Sequence, residues 1–222
     1  MKIATWNIER LQKRRNIEIV DAIQGIDADI LILTEASDLI VLSEIYPYNT
    51  KTSLLHNNNK DYREDEYRVI IYCKFPIVKT VETYDANTSC CAEIQTTLGN
   101  LFVYGTIIGI YGNRRACFLQ DLDKQIEDIN KISQLGSLCF AGDLNISFAD
   151  NYCFTKVGRE KLNQVFITNN LLNLTKEIPQ NIDHIIMSSR FLKELKYTVN
   201  TWNHKKQLSD HIGVCMELSS SC

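Results

Sequence analysis

The chain of 222 residues has 45% apolar and 23% charged residues, a net charge of −3 and a pI of about 5.8. These ordinary globular values argue against a disordered chain and against one that grips long duplex DNA through overall positive charge. No apolar run reaches about 18 residues and the N-terminus lacks a signal-peptide pattern, so we expect neither a membrane span nor secretion. Eight cysteines without a Cys-x-x-Cys spacing are typical of core residues in a reducing compartment. We therefore predict a single domain, residues 1–222, located in the cytoplasm.

Short segments in which apolar residues alternate or run continuously predict β-strands. In chain order, the predicted strands cover residues 2–8, 29–35, 67–72, 77–84, 91–98, 101–108, 138–141, 171–174, 182–187, 196–202 and 212–218. Gly99-Asn100 lies between two of them and predicts a hairpin.

Helical spacing of apolar residues predicts helices between the strands. The first has Ile17, Val20 and Ile23 on one face and ends at Gly25. The others cover residues 38–46, 114–135 and 158–169, and the polar stretch 49–66 is predicted to be a mobile surface loop. Hairpins combined with strand–helix–strand units predict an α/β (α+β) protein in which two mainly antiparallel sheets pack together with helices outside.

The stretch from Leu138 to Asn145 is the most informative one for function. An apolar strand ends in a glycine turn, after which Asp143 and Asn145 stand two residues apart and project to the same side. Other predicted strands also end in polar residues, namely Asn7, Glu9, Glu35, Asp183, His184, Ser209, Asp210 and His211. If these ends share one rim, their carboxylates, carboxamides and imidazole form a site suited to Mg²⁺ or Mn²⁺ and a phosphate group.

Five segments in this order resemble the endonuclease/exonuclease/phosphatase superfamily, which includes deoxyribonuclease I-like enzymes, exonuclease III-like abasic endonucleases and inositol-polyphosphate 5-phosphatases. The segments are Thr5-Trp6-Asn7-Ile8, Leu33-Thr34-Glu35, Gly142-Asp143-Leu144-Asn145, Ile182-Asp183-His184-Ile185 and Ser209-Asp210-His211. The resemblance spans essentially the whole chain and implies a four-layer α/β/β/α sandwich.

The resemblance also implies a role for each matching residue. Glu35 would be the principal ligand of a Mg²⁺ or Mn²⁺ ion, with Asn7 nearby and Asp210 contributing. Asp143 would orient or deprotonate the attacking water, and Asn145 would hold a phosphate oxygen. The remaining roles fall to His211, which would contact the scissile phosphate, and Asp183, which would orient an imidazole or a water. His184 and Glu9 are left as structural or surface residues.

One position departs from the family pattern. The family usually has a histidine, or in abasic endonucleases a tyrosine, at the position that Ile107 occupies after Gly105-Thr106. Because isoleucine neither donates a hydrogen bond nor carries a proton, Asp183 would lack its usual histidine partner. Three explanations stay open: Tyr111 or Arg114 reaches back into the site, the enzyme is slower but intact, or the site is degraded.

Basic residues near these segments are candidate substrate contacts, in particular Arg114, Lys205 and Lys206, together with Tyr111. The first functional hypothesis is a metal-dependent phosphoester hydrolase of the nuclease type, with nucleic acid as its partner. The second is a phosphatase of a phosphorylated small molecule or lipid headgroup. The third is a degraded member that binds nucleic acid or protein without turnover.

Overall fold

The computed structural model describes residues 1–53, 63–109 and 116–220. These ranges contain twelve strands: β1 Lys2–Asn7, β2 Ile30–Ser37, β3 Tyr48–Lys51, β4 Glu66–Cys73, β5 Ile77–Val81, β6 Ser89–Thr96, β7 Gly99–Ile107, β8 Leu138–Asp143, β9 Leu171–Asn173, β10 Asp183–Ser188, β11 Leu195–Trp202 and β12 Gly213–Ser220. They also contain four α-helices: α1 Asn16–Ile26, α2 Ala116–Leu135, α3 Lys156–Thr168 and α4 Ser189–Leu192. A short 3₁₀ turn, Glu9–Leu11, follows β1.

The strands form two six-stranded sheets. The first sheet has the order β11-β12-β1-β2-β4-β3, and the second has the order β5-β6-β7-β8-β10-β9. Each sheet contains one parallel pair, β1 with β2 and β7 with β8, and all its other pairs are antiparallel. The two mixed, mainly antiparallel sheets flanked by helices confirm the predicted fold class.

Burial on both faces explains the continuous apolar runs of the central strands. In β2, Ile30 and Ile32 face the core between the sheets, whereas Leu31 and Leu33 face the core under α1. A third apolar core lies between the second sheet and helices α2 and α3. The layers therefore follow the predicted order of helix, sheet, sheet and helix.

A glycine allows the two sheets to approach closely at their centre. A Cβ atom on Gly105 of β7 would lie 2.8 Å from Cγ1 of Val69 and 3.2 Å from Cγ2 of Ile32. Any larger residue at this position would force the sheets apart or displace the side chains of the first sheet. β7 of the second sheet therefore packs directly against β4 and β2 of the first.

Two local predictions were wrong. Residues 38–46 form turns rather than a helix, because the apolar residues alternate: Ile40 and Leu42 are buried while Leu39 and Val41 are exposed. This period of two fits an extended segment with turns and does not give one helical face. The predicted surface loop 49–66 contains the edge strand β3, which pairs with β4; its residues 54–62 lie outside the described ranges.

Smaller differences concern α1 and the predicted hairpin. Ile17 is exposed, and α1 buries Ile19 and Ile23 instead. The helix ends at Asp27, which adopts a left-handed conformation with φ 51°, and not at Gly25. The β6–β7 hairpin forms as predicted, but its turn lies at residues 97–98.

No helix in the described ranges is long and apolar enough to cross a membrane.

Candidate active site

The two sheets bring their polar strand ends to one rim. In the second sheet, Asp143 at the end of β8 pairs in register with Ile107 of β7 and with Asp183 of β10. In the first sheet, Asn7 ends β1 and donates a hydrogen bond from Nδ2 to Asp143 Oδ2 at 3.1 Å. This contact joins residues that are 136 positions apart and defines the centre of the candidate site.

Both oxygens of the Asp143 carboxylate accept hydrogen bonds. Oδ2 accepts from Asn7, and Oδ1 accepts from the backbone N–H of Asn145 at 2.9 Å. Burial raises the pKa of Asp143 strongly, the charge of His211 lowers it, and the neighbouring Asp183 carboxylate raises it further. The result is a carboxylate that is fixed in orientation and more basic than an exposed aspartate.

His211 enters the site from the loop that precedes β12. Its Nδ1–H donates to Asp183 Oδ2 at 2.6 Å, and its Nε2 lies 4.0 Å from Asp143 Oδ2. Burial lowers the pKa of His211, but the surrounding carboxylates of Asp183, Asp143 and Asp210 raise it well above its ordinary value. The expectation that Asp183 lacks a histidine partner was wrong, because the loop supplies His211 in place of a histidine on β7.

A hydrogen-bonded frame holds this loop against β1. The Ser209 hydroxyl donates to the Asn7 carbonyl at 2.6 Å and accepts the backbone N–H of His211 at 3.1 Å. The His211 carbonyl accepts from the Asn203 side chain at 2.7 Å and from the Trp6 indole at 3.2 Å. Ser209 and Asn203 thus position the imidazole; the Ser209-Asp210-His211 segment signalled the first, and no sequence pattern signalled the second.

Asn145 stabilises the opposite side of the Asp143 turn. It adopts a left-handed conformation with φ 52°, which directs its Nδ2 to the Ile108 carbonyl at 2.7 Å. The backbone N–H of Ile108 in turn donates to the Asp143 carbonyl at 2.9 Å. The carboxamide therefore lies at the rim beside Asp143, fixed to the exit of β7.

Glu35 lies near the end of β2, where the strand departs from regular geometry. It has a positive φ of 45°, and it is missing from the ladder with β4 between the pairs Thr34–Val69 and Ala36–Tyr67. Burial raises the pKa of its carboxyl, and the positive charges of Arg10 and His211 partly offset that effect. A half-buried carboxylate that feels His211 and Asp210 belongs to the same rim.

The donor set at this rim fits a hard divalent cation that is held by few protein groups. Glu35, the Asn7 carboxamide oxygen and Asp210 offer oxygen ligands, and the buried Asp183 Oδ1 has no hydrogen-bond partner within the described ranges. No cluster of three or more His, Cys, Asp or Glu side chains able to hold a metal occurs in these ranges. Mg²⁺ needs no such cluster, because it commonly binds one or two carboxylates plus water and substrate phosphate.

The predicted substrate-binding residues are placed differently. Lys206 Nζ lies 5.4 Å from the ring centroid of Tyr152, and both side chains line a shallow recess that also includes Asp183, Asp210 and His211. Lys205 is exposed on the same loop. Tyr111 and Arg114 lie outside the described ranges.

Asp210 and Ile107 complete the set of predicted positions. The Asp210 side chain is 59% exposed, its Oδ1 lies 3.7 Å from His211 Nε2, and its backbone N–H donates to Glu9 Oε2 at 3.1 Å. Glu9 thereby contacts the site loop. Ile107 is only 2% exposed and packs in the apolar core between the sheets.

His184 is buried beside the site but contributes to the fold. Its Nε2–H donates to the Ile146 carbonyl and its Nδ1 accepts from the Thr175 hydroxyl, each at 2.9 Å. Its ring packs edge-on against Phe148 with centroids 4.8 Å apart. Sequence reasoning missed one further rim residue, Arg68 of β4, although a single arginine in an apolar strand is a recognisable signal.

Comparison with solved structures gives the same fold. An endonuclease/exonuclease/phosphatase from Beutenbergia cavernae DSM 12333 superposes with a TM-score of 0.74 at 15% identity, covering 100% of this chain and 72% of that one. An AP endonuclease from Archaeoglobus fulgidus gives 0.74 at 13% identity, covering 99% of both chains. A 3'-5' exonuclease (NExo) from Neisseria meningitidis gives 0.72 at 16% identity, covering 99% and 100%.

The sequence itself identifies the family. No curated protein matches the chain by sequence. The model of the endonuclease/exonuclease/phosphatase family matches residues 4–211, which include the rim residues from Asn7 to His211. The chain therefore belongs to the endonuclease/exonuclease/phosphatase family.

Proposed function

We propose that the protein is a metal-dependent phosphoester hydrolase of the nuclease type that attacks a phosphodiester with an activated water. The observation that carries this proposal is the preformed pair of contacts Asn7–Asp143 and Asp183–His211 at one rim. A buried, doubly hydrogen-bonded carboxylate then lies 4.0 Å from a cationic imidazole. A water and a phosphoryl group placed between two such groups would meet a base on one side and a donor on the other.

Each group of the chain has a definite task in this mechanism. Asp143 accepts a hydrogen bond or a proton from the attacking water, and its raised pKa makes it a better base. His211, oriented by Asp183, directs Nε2–H toward a phosphoryl oxygen, and Asn145 holds a second oxygen. Glu35, Asn7 and Asp210 would hold the Mg²⁺ or Mn²⁺ ion, which when bound neutralises charge that develops on the phosphoryl group.

Nucleic acid is the substrate class that we favour. Tyr152 and Lys206 form a cation–aromatic pair at the edge of the site, and a base can stack on an aromatic ring while a lysine attracts phosphate. The solved structures that share the fold include an AP endonuclease and an exonuclease. We place the protein in the cytoplasm, which the free thiols of the described cysteines support.

A phosphatase is the second candidate, and one comparison favours it. A further similar structure, the 3' phosphatase NExo from Neisseria bound to a product DNA hairpin, gives a TM-score of 0.72 at 16% identity. The same water, base and donors would hydrolyse a phosphomonoester. The preformed rim contacts support turnover over the degraded, binding-only alternative.

The test is Mg²⁺- and Mn²⁺-dependent cleavage of labelled single- and double-stranded DNA and RNA, including oligonucleotides with a 3' phosphate. Asp143→Asn and Glu35→Gln should each abolish turnover, whereas Asp21→Asn, at an exposed carboxylate on α1, should leave it unchanged. Release of phosphate without strand cleavage would favour the phosphatase. Absence of turnover on every substrate would contradict the proposed function.

Salt dependence separates a polymer substrate from a small one. Several lysine or arginine contacts to a nucleic-acid backbone make the affinity fall steeply as salt rises, because bound counterions are released. A phosphorylated small molecule with one or two contacts gives a shallow dependence. Binding of a fluorescent oligonucleotide in Ca²⁺ buffer at about 50 to 200 mM salt therefore tests the choice of substrate.

A further inference from the structure

A buried arginine lies at the rim and has no part in the mechanism proposed for the other rim residues. Arg68 is 5% exposed and belongs to β4, whose other residues from Tyr67 to Cys73 are uncharged. Burying a guanidinium is costly unless anionic or hydrogen-bonding groups surround it. Its retention among apolar neighbours therefore needs a reason.

The strand register places Arg68 level with Glu35. Thr34 pairs with Val69 and Ala36 pairs with Tyr67, so the two residues between these pairs, Glu35 and Arg68, stand opposite each other. Both are missing from the regular ladder at the end of β2 where the site begins.

The packing of the sheets places Arg68 near the end of β7 as well. β7 lies directly against β4, since a Cβ on Gly105 would be 2.8 Å from the Val69 side chain. Two residues further along β7 is Ile107, which pairs with Asp143. Arg68 is one residue from Val69 toward the same rim, so it stands across the gap between the sheets from Ile107.

The charge of Arg68 acts on carboxylates associated with both sheets. It lowers the pKa of Glu35 in the first sheet and of Asp121 on α2, in each case against a larger raising effect of burial. Asp121 accepts the backbone N–H of Gly109, just beyond the end of β7. A positive charge that both carboxylates feel lies over the space between the two sheets at the rim.

We propose that Arg68 donates hydrogen bonds to a nonbridging oxygen of the substrate phosphoryl group, on the side of the site where Ile107 offers no donor. This inference rests on the proposed function and adds a substrate-contacting residue to it. The planar guanidinium suits this task, because its donors match two oxygens of a phosphate and it stays protonated at all physiological pH values.

The competing explanation is that Arg68 only neutralises and orients Glu35. Arg10 and His211 both lower the pKa of the Glu35 carboxyl more than Arg68 does, so Glu35 already has two stronger sources of positive charge. The two explanations differ in what they predict for metal binding. A residue that holds Glu35 supports metal affinity, whereas a cation that only faces the substrate opposes it.

The experiment compares Arg68→Gln and Arg68→Lys with the wild type and with Lys196→Gln, a control at an exposed cation on β11. Three quantities are measured: kcat and KM on a labelled oligonucleotide, Mn²⁺ affinity without substrate, and broadening of the ³¹P signal of inorganic phosphate. We expect Arg68→Gln to lower kcat about 100-fold and Arg68→Lys about 10-fold. Mn²⁺ affinity should stay the same or rise, and phosphate broadening should be lost in Arg68→Gln.

The outcomes separate this inference from the proposed function. A loss of Mn²⁺ affinity in proportion to kcat would overturn the inference and assign Arg68 to Glu35. If the wild type cleaves nothing, the proposed function fails, and phosphate binding alone decides: loss in Arg68→Gln supports the inference, and unchanged or absent wild-type binding overturns it. If Arg68→Gln does not fold by circular dichroism, Arg68→Lys carries the same tests.

Discussion

Replacing His184 by glutamine should change how the stability of the protein depends on pH. The imidazole is fully buried, and burial lowers its pKa from the ordinary value of 6.5 to about 4, although the Ile146 carbonyl and the Asp183 carboxylate act in the opposite direction. The folded state therefore keeps His184 neutral at a pH where the unfolded chain already binds a proton. Stability contributed by this group is present above pH 6.5 and is lost as the pH falls toward 4.

The size of the effect follows from the two pKa values. A difference between 6.5 and about 4, at about 1.4 kcal/mol for each pH unit, gives a loss of about 3 kcal/mol. Glutamine retains polar atoms but does not reproduce both hydrogen bonds of the imidazole, so the variant should be less stable at pH 7 by about 1–3 kcal/mol. The wild type should lose that advantage by pH 4, because only the wild type carries the titrating group.

Urea unfolding of wild type and variant between pH 7 and pH 4 measures this difference directly. His204→Gln, at an exposed histidine, is the control and should leave the unfolding free energy at pH 7 within about 0.5 kcal/mol of the wild type. A wild-type advantage that stays constant across this pH range would refute the reasoning. It would mean that the imidazole is charged in the fold or that water reaches it.

Three other predictions concern the site and its support. Asp183→Asn should lower the pKa of His211 and reduce kcat at least about 10-fold, because the Nδ1–H loses its carboxylate; NMR titration of the imidazole and steady-state kinetics check both, and an unchanged pKa would contradict it. Tyr152→Ala should weaken single-stranded DNA binding by about 1–3 kcal/mol while Tyr152→Phe keeps it, as fluorescence anisotropy can show; equal loss in both would assign the effect to the hydroxyl. Gly105→Ala should cost about 1–3 kcal/mol of stability in urea, since the added methyl would lie 2.8 Å from a β4 side chain; an unchanged midpoint would show that the sheets separate freely.

The sequence by itself determined the fold class, the family and the residues of the rim. Continuous apolar runs such as Ile30–Leu33 marked strands covered on both faces, and polar residues after those runs marked the strand ends. These features are local, so a single chain reveals them without its partners. The segments that contain Asn7, Glu35, Asp143 and His211 also occur in the family order.

Only the tertiary structure decided which of these residues contact each other. The pairing of Asp183 with His211 joins residues 28 positions apart, and no spacing rule indicates it. The place of Arg68 at the rim depends on the register of β2 with β4 and on the close approach of the two sheets at Gly105. Such contacts depend on the packing of distant segments, and local residue patterns carry no information about that packing.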